Sequence, residues 1–336
     1  MLSKKQNLLE TIRGGNPDRF VNQYEAFQLL MATPLEVKHP VFIEPGQEVK
    51  DAWGITFCWP EGTPGRFPVH TEETLVVKDI TRWRDYVKMP SLDFNEEDWE
   101  PLVKAANEID RNEYFVTGTK FTGLFEMCHY LLGIEECLIN FYEEPEAMHE
   151  LIDYLTEYEL KHAEQVCKHF KIDALFHHDD WGTQKSTFMS KDMFREFFLE
   201  SYKKIYKYYK NHGVEVIVHH SDSYCETFVP EMIEMGIDIW QGALSTNNIP
   251  KIINEYGDKI TIMGGIDNGK IDREDWSKEK ILEETENVCN LYGKKFFIPC
   301  ATMGGAMSSY EGVYESVSEA IDIVSDKMFN KISFNA

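Results

Sequence analysis

From residue 114 onward the chain alternates short β-rich runs with long stretches of helical spacing, and this alternation limits what it can fold into more than any other feature. The runs are Tyr114 to Gly118, Asp173 to His178, Val214 to His220, Ile237 to Gln241, Ile260 to Gly265 and Phe296 to Cys300. Between them apolar residues recur at spacings of three and four, as from Met148 through Phe170 and from Met193 through Tyr209. Those stretches are long enough to be crossover helices. Ser190 reads as a helix N-cap and Gly236 as a C-cap. Consecutive βα steps build a parallel sheet. An open doubly wound sheet also alternates this way, but no glycine-rich phosphate turn follows the first strand, so an α/β barrel is expected.

A barrel of repeated βα units accommodates all 336 residues in one domain, and a single unit spanning 1–336 is expected. Its first part, 1–110, is irregular. There the Pro/Gly-rich stretch Trp59 to Pro68 reads as a loop, of the kind that often roofs a barrel mouth. No apolar run reaches the roughly 20 residues needed to span a bilayer, and the first residues lack a signal-peptide core, so a cytoplasmic protein is expected. The seven cysteines are scattered without paired spacing, which argues against a disulfide framework. A net charge of −24 repels polyanions over a Debye length of about 8 Å, so neither nucleic acid nor an anionic membrane is an expected partner.

In such a barrel catalytic groups come from the C-terminal ends of strands. Three ends carry chemistry: His177-His178-Asp179-Asp180-Trp181, His219-His220-Ser221-Asp222, and Cys300-Ala301-Thr302. Imidazole, carboxylate and thiolate delivered to one mouth form a ligand set suited to zinc. Side chains alternate along a strand, so His220 and Asp222 can share a side while His219 and Ser221 take the other. Of the adjacent pair Asp179 and Asp180 only one can point inward, and Asp180 is the expected one, to orient a ligand or position substrate; the alternative is a helix cap. Glu126 and His129, following the strand that ends near Thr117 and Gly118, reach the same rim, unless they are solvated or structural helix residues. Trp53, Phe57, Tyr130, Trp181 and Trp240 are among the aromatics near these ends and would line a flat apolar pocket, unless they are simply core.

Several segments in order along the chain resemble the uroporphyrinogen decarboxylase superfamily. They are Ile12 to Arg19, Asp51-Ala52-Trp53-Gly54, Trp83 to Tyr86, Asp179 to Gln184, His220-Ser221-Asp222, Glu255 to Asp258 and Gly264 to Asp267. The resemblance implies a (β/α)8 TIM barrel with an elaborated N-terminal segment. The superfamily holds tetrapyrrole decarboxylases and cobalamin-dependent methyltransferases. The decarboxylases carry Arg-Gln-Ala-Gly-Arg near the N-terminus for substrate carboxylates, whereas Val21 to Phe27 here contains no arginine. Its thiol methyltransferases hold zinc with His-x-Cys and a later Cys, and by position these become His220, Asp222 and Cys300, with Cys225 or Glu126 as alternative ligands to Asp222.

Fewer thiolates leave more positive charge on zinc, which suits stabilising a departing ether oxygen. The resemblance therefore implies a methyltransferase of the O-demethylase type. It would pass a methyl group from a small methoxylated, aromatic substrate to the cobalamin of a separate corrinoid protein. Zinc would be held by His220, Asp222 and Cys300, with Asp180 and Glu126 as catalytic groups. Trp53, Tyr130, His178, Trp181 and Trp240 would bind substrate. A thiol methyltransferase, a metal-free decarboxylase and a non-catalytic binding barrel are the alternatives; a homodimer is one option for assembly.

Overall fold

The structure, a computed structural model, describes residues 1–31, 33–39, 43–63, 65–303, 305 and 309–329. Its main sheet has seven parallel strands in chain order: β1 (Phe27–Met31), β2 (Phe115–Lys120), β3 (Ala174–His178), β4 (Val216–His220), β5 (Ile239–Ala243), β6 (Thr261–Ile266) and β7 (Phe297–Ala301). The principal helices are α1 (Lys4–Ile12), α2 (Glu96–Glu108), α3 (Leu124–Leu132), α4 (Pro145–His169), α5 (Glu200–Asn211), α6 (Val229–Met235), α7 (Ile249–Tyr256), α8 (Lys278–Tyr292) and α9 (Val313–Phe329). This is a TIM-barrel-like (β/α) fold. All six expected β runs are strands, β2 to β7. Ser190 accepts from Met193 N, and Gly236 ends α6 in the left-handed conformation.

The expected eightfold repeat differs in one place: the sheet is a curled ladder of seven strands among the described residues. Its two edges, β1 and β7, meet across the segment before β1. Gln23, with φ of 51°, donates its backbone N–H to Pro299 O at 3.3 Å, and its Oε1 accepts from Ala301 N at 3.3 Å. This covers sheet edges that would otherwise leave polar backbone unpaired. β1 was hidden in the sequence because of its five residues only Phe27 is buried, so it shows neither an apolar run nor clean alternation.

Strand alternation sorts the residues into two layers. Phe115, Phe176, Val216, Val218, Ile239, Met263, Ile298 and Cys300 form an interior cluster. The alternate positions pack against the helices: Trp240 and, just past β3, Trp181 share the larger outer cluster with Tyr202, Tyr206 and Phe228 from the helical layer. His178, His220 and Gln241 lie in one register row across β3, β4 and β5, with His177, His219 and Trp240 in the row beside it. The neighbouring rows therefore face opposite ways.

The stretch Trp59 to Pro68 is not wholly a loop. Phe67 and Pro68 pair antiparallel with Cys58 and Phe57, and Glu48–Lys50 adds a third short strand. Among the described residues no helix is long and apolar enough to cross a membrane.

Candidate metal centre at the barrel mouth

The register that aligns β3 with β4 sets His178 opposite His220. Their rings stack with centroids 4.4 Å apart and planes 18° from parallel. Each ring is held through Nδ1 by a side-chain oxygen, His178 by Glu126 Oε2 at 2.8 Å and His220 by Gln241 Oε1. Because the Glu126 carboxylate and the Gln241 amide oxygen can only accept, each Nδ1 carries a proton, which leaves Nε2 as the atom of each ring turned to meet a metal. Asp180 completes the group: one ligand atom from each of His178, Asp180 and His220 lies within 4.8 Å of the others. Asp180 is oriented by Asp222 N–H, which donates to its Oδ1 at 2.9 Å, while its Oδ2 stands 3.9 Å from His178 Nε2.

Glu126 reaches His178 through a tightly built turn. After β2 the chain passes Thr122 at φ of 71°, an uncommon conformation for a β-branched residue. Lys120 Nζ donates to the carbonyls of Phe121 and Thr122 at 3.1 and 2.8 Å and so holds that turn. At the next residue, Gly123, a Cβ would lie 2.4 Å from Asp179 Cβ and 2.7 Å from the Tyr202 hydroxyl, so no larger side chain fits. The Asp179 carboxylate accepts from Phe125 N (3.1 Å), Glu126 N (2.8 Å), Trp181 Nε1 (2.8 Å) and the Tyr202 hydroxyl. It caps the first turn of α3, a helix belonging to a different βα unit. Replacing Asp179 by Asn removes one acceptor oxygen from four donors. We expect a loss of about 1–3 kcal/mol in unfolding free energy by denaturant titration, since a buried donor is left unmade.

Electrostatics mark the cluster as short of positive charge. Burial raises the Asp180 carboxyl to about 6, and the Glu126 carboxylate adds to the shift. Burial also lifts Asp222 well above the usual carboxylate range, with Asp180 the next cause. Burial opposes a charged His178, yet Glu126 and Asp180 outweigh it and raise the group. Burial and His178 hold His220 down at about 3, so it is neutral. Crowded carboxylates beside a neutral imidazole favour a cation. Two nitrogens and one oxygen of intermediate hardness, each imidazole braced by an outer oxygen, fit zinc.

The expected ligand set is only partly brought together. His220 is in the cluster, but its companions are His178 and Asp180, expected to bind substrate and to catalyse. Cys300 is fully buried and sits beyond Gln241, whose Nε2 is 3.9 Å from its Sγ. The Gln241 amide thus stands between His220 and the thiol, and burial pushes that thiol far up, which disfavours the thiolate a metal would need. Asp222 supports Asp180 through its backbone and lines an open cavity of about 730 Å³ with Ser245, Asp267 and Met303. Cys300→Ser is expected to bind metal in the same stoichiometry as the parent, as read by elemental analysis of the purified protein.

Trp181 and Trp240 are core residues. Both are fully buried on the helix side of the sheet; Trp181 stacks on His219 at 4.1 Å, and Trp240 donates to Ser221 O at 2.9 Å. The inward neighbour of Trp240 is Gln241, which the sequence did not single out. Tyr130 donates to Glu126 Oε1 at 2.9 Å and meets Phe57 edge-on at 5.5 Å. Trp53 packs on Tyr158 at 4.7 Å and lines a second cavity, of about 90 Å³. The cluster thus touches one cavity through Asp222 and is linked to the other through Glu126, Tyr130 and Phe57.

One solved structure shares this architecture. The methyltransferase from Methanosarcina mazei superposes with a TM-score of 0.66 over 96% of this chain and 99% of that one, at 12% identity. A B12-independent methionine synthase from Shewanella sp. W3-18-1, in complex with selenomethionine, aligns over 72% of this chain and 69% of its own, at 13% identity and a TM-score of 0.42. Among curated proteins, none matches by sequence. Residues 49–304, which include the turn, the helix and the strand ends that build the His178, Asp180 and His220 cluster, match the family described as Uroporphyrinogen decarboxylase (URO-D), and the chain belongs to that family.

Proposed function

We propose that the protein is a zinc-dependent methyltransferase that moves a methyl group from a small methoxylated aromatic compound to the cobalamin of a separate corrinoid protein. The observation that carries this reading is the grouping of His178, Asp180 and His220 at the barrel mouth, with both imidazoles braced through Nδ1. His178 Nε2, His220 Nε2 and an Asp180 oxygen would hold the ion. Zinc, when bound, supplies a Lewis acid that lowers the energy of a departing oxygen. The absence of sulfur from the cluster favours this role over thiol activation, because thiolates would drain positive charge from the ion.

The chain's own residues supply the rest. Glu126 fixes the His178 ring and is itself oriented by the Tyr130 hydroxyl and the capped turn. Asp222, whose carboxyl burial and Asp180 hold well above the usual range, lines the larger cavity and would give a proton to a product oxygen. That cavity, with Gly182, Asp222 and Thr302 on its walls, is open enough for a partner to deliver a reactive group. The fold shared with the Methanosarcina methyltransferase supports the class by analogy only. A decarboxylase handling a polycarboxylate is a weaker candidate because Val21 to Phe27 supplies no arginine and is spent on closing the seam.

The test is to incubate zinc-loaded protein with methoxybenzene derivatives and cob(I)alamin and follow the corrinoid absorbance. Conversion to methylcobalamin, abolished by chelation and restored by zinc, is the expected result. Turnover that is untouched by chelation, or methylation of a thiol by methylcobalamin without ether cleavage, contradicts it.

A further inference from the structure

The second cavity is lined by a cation that forms no ion pair among the described residues. Each of the seven other arginines pairs with an aspartate or glutamate. Arg66 forms no ion pair among the described residues, and its Nη1 is buried and bonded to nothing. Its guanidinium carbon stands 4.1 Å over the Phe57 ring. Leaving a guanidinium N–H desolvated and unbonded is costly, and in a chain of net charge −24 carboxylates to pair with are not scarce.

The other charged groups around the cavity are already engaged. Asp51 accepts from Trp53 N at 2.9 Å and Ile55 N at 2.8 Å. Glu36 accepts from Thr33 N at 2.9 Å and faces His162 at 3.5 Å. Lys120 is bound to Glu159 at 3.0 Å and to two carbonyls. Of the permanent cations lining the cavity, Arg66 alone has donors to spare, and Trp53, Phe57 and Tyr158 give it aromatic walls. From there Phe57 leads to Tyr130, Tyr130 to Glu126 and Glu126 to His178.

We infer that Arg66 is the anchor for a single carboxylate on the substrate, so that the compound demethylated is an aromatic acid carrying a methyl ether. A carboxylate matches the guanidinium fork with two parallel hydrogen bonds, and one unpaired arginine calls for one acid group. The substrate assignment rests on the methyl-transfer reading; the anion site itself does not.

Calorimetric titration of the zinc-loaded protein with benzoate, benzenesulfonate and methoxybenzene tests it. Benzoate should bind, more tightly than benzenesulfonate. Arg66→Gln should weaken benzoate about 10- to 100-fold, the range for a lost charge-assisted pair, and leave methoxybenzene binding unchanged. Arg66→Lys, which keeps the charge but not the fork, should fall between, and it carries the test if the glutamine variant does not fold. His220→Ala should still bind benzoate in an Arg66-dependent way, even if methyl transfer proves not to be the reaction. Equal benzoate binding by parent and Arg66→Gln, no benzoate binding by the parent, or preference for the sulfonate overturns the inference.

Discussion

His220→Ala is expected to leave the purified protein with less than a tenth of the parent's zinc and to lower methyl transfer at least about 1,000-fold. A bound Lewis acid contributes several kcal/mol to the stability of a leaving oxygen, and each 1.36 kcal/mol is a factor of ten in rate. His220 is one of the three residues in the cluster and cannot be replaced locally, since its row neighbours on β3 and β5 are His178, already used, and Gln241, which braces it. Gln241→Ala leaves all three cluster residues in place and frees only the Nδ1 end of the ring, so metal affinity should fall by roughly 10–100-fold, the usual effect of losing an outer partner. Zinc content and turnover measured side by side on the two variants separate ligand from brace. A His220→Ala protein that keeps its zinc and its rate contradicts the site.

Lys120→Met is expected to be the most destabilising single change outside the cluster. Lys120 and Glu159 form an ion pair of 3.0 Å between β2 and α4, with side chains only 9% and 4% exposed. Removing one member of a buried pair strands the other charge and costs about 3–5 kcal/mol. It also releases the Phe121 and Thr122 carbonyls, so the turn that delivers Glu126 loses its clamp. Lys120→Met/Glu159→Leu should recover most of the stability, because two apolar side chains replace the pair, but not the lost methyl transfer, because the turn stays unclamped. Burial opposes the Glu159 charge, yet Lys120 and His177 outweigh it and leave the carboxyl at about 2. Since the folded value lies below that of an ordinary glutamate, the pair's contribution is complete above about pH 4.5 and fades as pH falls toward 2. Chemical denaturation of parent and variants across that window should show the difference closing with acid.

Much of this was legible before the structure. β2 to β7 were visible because buried parallel strands read as apolar runs bounded by helical spacing, and the polar residues ending β3 and β4 marked the mouth. Of the adjacent pair, Asp180 was the one expected to point inward and it stands in the cluster, whereas the capping of α3 by Asp179 was not expected. Three things were not legible, each for a physical reason. Strand alternation says which residues share a side but not how far apart their tips lie, and so it could not show Gln241 between His220 and Cys300. Tryptophans at strand ends belong to core or pocket according to the parity of their position, and Trp240 falls on the outward parity beside inward Gln241. The work of Lys120 and Asp179 depends on partners far along the chain, Lys120 and Glu159 standing 39 positions apart, and the isolation of Arg66 is likewise a property of the fold and not of any local spacing. Resemblance to thiol methyltransferases pointed to Cys300 as a ligand, but the thiol is buried against two glutamines, Gln241 and Gln23.

The identity of the atoms around the ion is the point on which everything turns. X-ray absorption at the zinc edge of the loaded protein should show a first shell of nitrogen and oxygen only, at about 2.0–2.1 Å, with the imidazole scattering of two histidines. A sulfur at about 2.3 Å would instead make Cys300 or another thiolate a ligand and would contradict the His178, Asp180 and His220 site.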